Sequence, residues 1–391
     1  MKTNSKLAKN SKVRRAIQNI LFSLLVFSLF ILAMEIVLRT THLFGAYISP
    51  TEPCPVLSWR YSPGHKYWNN KENDHPITGR INSYGWRDKE WSVRKPQDTY
   101  RIAVLGDSYV AAFQVESDRT FLALTENKLN EDYNLKVELM NFGLPGATQT
   151  EELLILKNQI EQFSPDMVLV FFLPANDIDD VAKGTAGRTM RPFYNISGKG
   201  ELILDTSFLE MRGYKIRCFI NDFKQHSALI SLICERYNAY QRASGIETSP
   251  EKIEGFLSLC TDNPDATYLR NYRLNKILLK AMSDYCNEKR IGFMIVCLEI
   301  STYVPESEKK YTAIDSTFNT NFFEDDLENY AKSLDVEYLG LQRIFRQSYE
   351  CSPVSLHWGH WNYEGHEVVA NALADKLKSI IEPNENDEGS K

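Results

Sequence analysis

The sequence has no CxxC pair among its seven cysteines, no internal repeat and no low-complexity block. Cys54, Cys218, Cys234, Cys260, Cys286, Cys297 and Cys351 are scattered singly, which excludes a zinc-ribbon or zinc-finger spacing. Their odd number leaves at least one thiol unpaired in a monomer. Cys297, inside "GFMIVCLEI", reads as a small buried hydrophobe. A net positive charge is also lacking outside one place. The net charge of -6 includes Lys2, Lys6, Lys9, Lys12, Arg14 and Arg15, so the chain beyond them is clearly acidic and nucleic acid is not an expected partner.

Of long uncharged apolar runs there is one, "AIQNILFSLLVFSLFILAM", Ala16 to Met34. At about 1.5 Å per residue it spans about 30 Å, the thickness of a bilayer's hydrocarbon layer. It exceeds the apolar region of a cleaved signal peptide, and "MEIVLRTTH" follows it without a small-x-small cleavage site. No cysteine is there to carry a lipid. The expectation is an uncleaved single-pass signal-anchor over 16–38, with a basic leader over 1–15 held in the cytoplasm and the rest of the chain outside it.

Residues 39–98 are rich in Pro, Asn, Trp and charge, without sustained period, and "INSYGWRDKEW" within them suggests an ordered extension packed on a domain. From "RIAVL" onward strands and helices alternate. "KVELMNF" and "DMVLVFFLP" read as strands, the second continuously apolar as a strand buried on both faces should be. "TQTEELLILKNQIEQF" opens on a capping-type Thr and keeps a helical stripe. "IGFMIVCLEI" and "VEYLGL" are later strands, each with a helical segment beside it, and "EGHEVVANALADKLKSII" closes the pattern as an amphipathic helix. This rhythm predicts a three-layer α/β/α sandwich on a mostly parallel sheet over 99–382. It is interrupted by an insertion at about 181–271, which contains loop, short strands and one helix over "FKQHSALISLICERYNAYQRA". A polar tail occupies 383–391.

In a parallel α/β sheet, ligands bind beyond the carboxyl ends of the strands. "GDS" (Gly106, Asp107, Ser108) follows the first strand, "NFGLPGAT" the second and "LPAND" the third, and "HWGHWNYEGH" precedes the last helix. Each has a plain structural reading. Ser108 or Asn176 can cap a helix, Asp107 can do the same, and Asp177, Asp179 and Asp180 can be an acidic first turn. "DIDD" lacks the Gly and distal Glu of a calcium loop. A zinc site from His357, His360 and His366 has no acidic or cysteine partner suitably placed, so no metal or other cofactor is expected. Trp358 and Trp361, which flank His360, could stack on a sugar or pack in the core.

The four stretches in this order resemble the SGNH (GDSL-like) hydrolase family over about Arg101 to Ile381, the insertion excepted. The resemblance implies a flavodoxin-like SGNH fold and a serine nucleophile, Ser108, with His360 as its base. It implies an oxyanion hole from the N–H groups of Ser108 and Gly146 and the side-chain amide of Asn176. Two positions depart from the family. The third block reads Pro174-Ala175-Asn176-Asp177 where the family usually has Gly-x-Asn-Asp. More seriously, the Asp it commonly places three residues before the catalytic histidine is here His357, and neither Trp358 nor Gly359 offers a carboxylate. Asp107 and His357 are therefore possible supporting residues, and another acid, a backbone carbonyl or a bare Ser–His dyad remain open.

Together these imply a membrane-anchored serine esterase acting through an acyl-Ser108 intermediate on an ester-bearing substrate, such as an O-acylated glycan outside the cell. Two alternatives differ in kind. An O-acyltransferase would use the same pair and pass the acyl group to a sugar hydroxyl, and a non-catalytic relative would keep the pocket only to bind acylated glycan.

Overall fold

The computed structural model describes residues 2–41, 51–69, 72–243 and 252–382; the expected polar tail lies outside them. The chain forms two compact units, Met1–Ser49 with Asp222–Ile246, and Pro50–Asn221 with Glu247–Lys391.

The first element is α1 (Lys2–Thr41), of which Arg14–Thr41 is long and apolar enough to cross a membrane or to serve as a signal sequence. Two short hairpins follow, β1 (Thr51–Cys54) with β2 (Ser58–Tyr61) and β3 (Lys66–Asn69) with β4 (Ile77–Arg80). This extension is tightly packed. Trp86 and Trp91 are buried and pack edge-on or tilted against Phe142. The buried Arg87 donates to Tyr67 Oη at 2.7 Å, Ala111 O at 3.1 Å and Val115 O at 2.6 Å, tying the extension to the segment that follows Ser108.

The main sheet has five parallel strands: β5 (Tyr100–Gly106), β6 (Val137–Gly143), β7 (Met167–Phe172) and, beyond the insertion, two strands introduced below. Between the first three lie α2 (Ser108–Ala111), α3 (Phe121–Asn127) and α4 (Gln149–Ile155), and α5 (Pro174–Asp180) follows the third. The insertion carries a hairpin, β8 (Phe193–Ile196) with β9 (Leu202–Asp205), and two helices, α6 (Arg212–His226) and α7 (Ala228–Ala243). The sequence suggests one helix here. Ser227 divides it, because its Oγ accepts from Ile230 N at 3.2 Å and starts a new helix. In the first unit, Glu35 of α1 accepts from Ala228 N at 2.7 Å and Leu229 N at 3.0 Å and so caps α7 as well.

The sheet resumes after α8 (Ala266–Lys289), which starts inside the expected insertion because Asp265 caps it by accepting from Thr267 N at 2.7 Å. Then come β10 (Gly292–Cys297), α9 (Pro305–Ile314), α10 (Phe322–Leu334), β11 (Glu337–Gly340), α11 (Gln342–Cys351) and α12 (Tyr363–Ile381). The order across the sheet is β11-β10-β7-β5-β6.

Alternation along each strand divides the core in two. Ala103, Leu105, Val168 and Val170 pack with Leu153, Leu278 and Leu327 of α4, α8 and α10. Ile102, Val104, Leu169 and Phe171 face the other way, onto Phe121, Phe345 and Leu373 of α3, α11 and α12. The result is the three-layer α/β/α sandwich expected from sequence. Its strand order reverses between β5 and β7, the topological switch point at which such sheets open a crevice.

Candidate active site

Ser108 begins α2 at that switch point. Asp107, 3 % exposed, caps the turn by accepting from Tyr109 N at 2.9 Å. The turn is held very close to β6: a Cβ placed on Gly143 would lie 2.3 Å from Ala111 N and 2.7 Å from Val110 C. Only glycine permits that approach.

His360 reaches Ser108 from the loop before α12, with Nε2 2.7 Å from Ser108 Oγ. Its other ring nitrogen, Nδ1, is 2.7 Å from Glu72 Oε1. Glu72 Oε2 accepts from His360 N at 2.8 Å and from Gly359 N at 3.3 Å. Burial pulls the Glu72 carboxyl upward, but the hydrogen bond and charge of His360 and these two N–H groups outweigh it and hold the carboxyl below its usual range. An ionised Glu72 accepts a proton-bearing Nδ1, which leaves Nε2 as the acceptor for the Ser108 hydroxyl. This is the geometry of a serine, its base and the acid that orients the base.

Glu72 comes from the connection between β3 and β4, and no sequence motif marked it. Side chains on either side fix that connection. Asn69 donates to Phe113 O at 3.0 Å, and Asn73 donates to Gln114 O at 3.1 Å. Gly359 also leaves room for it, since a Cβ there would lie 3.2 Å from Glu72 Oε2.

His357, at the position where an acid was expected, points elsewhere. Its Nε2 lies 2.8 Å from Glu299 Oε1, which also accepts from Trp361 Nε1 at 2.7 Å, and Tyr303 Oη lies 3.2 Å from its Nδ1. His357, Glu299 and Trp361 thus form a layer behind Tyr109, whose ring packs on His360 and Trp361 at 4.9 Å each. His366 is fully buried and accepts from Phe121 N at 3.1 Å. Burial, with the nearby charges of Arg87, His360 and His357, pushes it down to about 3, so it is a neutral core group. Of the two flanking tryptophans, Trp361 is core and Trp358 is 42 % exposed.

Asn176, in α5 beyond β7, donates through Nδ2 to Asp107 Oδ2 at 2.8 Å. Asp107 therefore orients the amide as well as capping α2, and its carboxyl is raised by burial despite these hydrogen bonds. Gly146 lies beyond β6, whose end is paired with that of β5 (Gly106 to Gly143), and Leu144 N donates to Gly106 O at 3.0 Å. Its φ of +73° is the left-handed conformation that favours glycine. Ser108, Gly146 and Asn176 thus stand at the carboxyl ends of three neighbouring strands. Among the described residues no group of three or more His, Cys, Asp and Glu side chains is arranged to hold a metal ion.

No protein-family model and no curated protein matches the chain. Solved structures with similarity include TesA, 10% identical, over 72% of this chain and 99% of TesA, with a TM-score of 0.37. The psychrotrophic esterase EstA from Pseudoalteromonas sp., inhibited by monoethylphosphonate, is 13% identical over 72% of this chain and 98% of its own, with a TM-score of 0.36. A catalytic mutant of Axe2, an acetylxylan esterase from Geobacillus stearothermophilus, is 12% identical over 71% and 94%, with a TM-score of 0.38. What the site can do follows from its own geometry.

Proposed function

We propose that the protein is a serine esterase of the SGNH (GDSL-like) type, working with a Ser108–His360–Glu72 triad. The observation that carries this is His360, bridging Ser108 Oγ and Glu72 Oε1 at 2.7 Å on each side. Ser108 Oγ attacks the ester carbonyl as His360 Nε2 takes its proton, and the carbonyl oxygen gains negative charge. The N–H groups of Ser108 and Gly146 and the Asn176 amide stabilise that charge, each such donor being worth about 3–4 kcal/mol of barrier. Collapse expels the alcohol, which receives the proton from His360, and leaves acyl-Ser108. Water then attacks the acyl-enzyme, giving up a proton to His360, and collapse releases the carboxylic acid as His360 returns that proton to Ser108 Oγ.

Glu72 holds the imidazole in the productive tautomer and stabilises the imidazolium that forms at each step. With a carboxylate on His360, the missing acid no longer favours a non-catalytic binder. The N-terminal apolar helix supports placement at a membrane, with the basic leader in the cytoplasm and the esterase unit outside. That location, together with the exposed Trp358 close to His360, supports an O-acylated glycan as substrate. Purified protein in detergent should hydrolyse 4-nitrophenyl acetate, with kcat reduced to background in Ser108→Ala. Hydrolysis that persists undiminished in that variant would overturn the assignment.

A further inference from the structure

The first loop of the insertion, residues 181–192, carries an exposed arginine onto the candidate oxyanion side of the site. A Cβ built on Gly146 would meet Arg188 Nη1 at 3.5 Å and Cζ at 3.9 Å, so the guanidinium lies directly over that glycine. The loop that places it is built. Ala186 N donates to Ala182 O at 2.9 Å, and Gly187 N donates to Asp180 Oδ1 at 2.8 Å. Asn271 Nδ2 donates to Thr185 Oγ1 at 2.7 Å.

On the far side of Arg188, Arg191 is 5 % exposed and pairs with Glu151 through Nε at 2.7 Å and Nη2 at 2.5 Å. Glu151 belongs to the capping box of α4, the helix that starts just after Gly146. The loop is therefore fastened to the same helix start that follows Gly146, and Arg188 stands between its two fixing points.

Among the described residues, the charged side chains hydrogen-bonded to the reacting groups are carboxylates, Glu72 on His360 and Asp107 beside Asn176. Such a site repels an anionic substrate unless a cation faces it. A planar guanidinium with several N–H donors suits a carboxylate or phosphate. We propose that Arg188 is an anion-recognition residue, and that the ester this site takes carries a carboxylate or phosphate group within reach of the guanidinium, on the Gly146 side of the scissile carbonyl. This rests on the acyl-transfer reading above and adds the charge of its substrate.

The test uses the full chain in detergent and three esters: 4-nitrophenyl acetate, mono-4-nitrophenyl succinate with its anion on the acyl side, and 4-acetoxybenzoate with its anion on the alcohol side. The wild type should favour one anionic ester over the neutral one in kcat/KM. Which one it favours locates the anion. In Arg188→Met the ratio of anionic to neutral kcat/KM should fall about tenfold or more, mainly through KM. Arg188→Lys should recover part of it, and Arg188→Glu should invert the preference.

Equal loss on neutral and anionic esters in Arg188→Met would overturn the proposal and make Arg188 a structural or oxyanion-stabilising group. Absence of any anionic preference in the wild type would overturn it too, while Ser108-dependent turnover of the acetate left the esterase reading standing. No Ser108-dependent turnover of any ester would overturn both.

Discussion

A carboxylate 2.7 Å from Nδ1 does two things to His360: it selects the tautomer that can accept from Ser108, and it stabilises the imidazolium. Glu72→Gln removes the charge and offers Nδ1 an N–H donor, which favours the unproductive tautomer. Steady-state assays should show kcat/KM reduced by about 10²- to 10⁴-fold. The remaining activity should keep a pH profile whose acid limb lies at lower pH, because loss of a neighbouring carboxylate lowers the histidine's affinity for its proton. If Glu299, on His357, were the effective acid instead, Glu299→Gln would show these effects and Glu72→Gln would not.

His366 makes a separate prediction about stability. Its folded value of about 3 lies below the ordinary histidine value, so the unfolded chain binds the extra proton between the two. Stability should therefore fall as pH drops from about 6.5 toward 3, with His366 contributing on the order of a few kcal/mol. Buried Glu152 and Asp177 are raised well above their ordinary values, chiefly by burial, and act in the opposite sense. Comparing denaturant unfolding of wild type and His366→Gln at pH 7 and pH 4.5 isolates the histidine. The variant's deficit at pH 7 should shrink at pH 4.5.

At the scale of elements, the short α2 depends on how closely β6 approaches it. Gly143→Ala would drive a methyl group into the Val110–Ala111 backbone, which cannot move without moving the turn that presents Ser108. Esterase activity should drop at least tenfold in that variant, with a lowered melting temperature, whereas Gly184→Ala, where a Cβ meets nothing within 4 Å, should change neither. The sheet was legible in the sequence because its central strands are buried on both faces and read as unbroken apolar runs, as in "DMVLVFFLP". Ser108, Gly146 and Asn176 follow such strands and His360 precedes the last helix, and the order of the four stretches, which resembles the SGNH family, made them legible as candidates.

The hairpin that delivers Glu72 was not legible. Its strands are four residues each, and its position depends on Asn69, Asn73 and Arg87 bonding to backbone carbonyls of another segment. Side chain to backbone bonds of this kind leave no periodic trace. The signal available was indirect: His357 at the position of the expected acid, and Gly359 with no side chain beside His360. Ser227 is a smaller case of the same kind, since a single capping hydroxyl split a segment whose apolar pattern looked continuous.

At the scale of the molecule, an apolar helix precedes a unit with its own hydrophobic core and candidate site. If that helix is an uncleaved anchor with the basic leader inside, the exposed Cys218 and Cys351 lie on the outer side. A membrane-impermeant maleimide should then label both on intact cells, and Ser substitution of the two should sharply reduce that labelling, leaving the half-buried Cys234. Labelling only after lysis would reverse the orientation.

If His360 and Glu72 make Ser108 nucleophilic, the rate of its covalent labelling by a fluorophosphonate reads that activation directly. Labelling should be fast and stoichiometric in the wild type, absent in Ser108→Ala, and slowed by orders of magnitude in His360→Ala and to a lesser degree in Glu72→Gln. A wild type that is folded yet labels no faster than His360→Ala would contradict that activation.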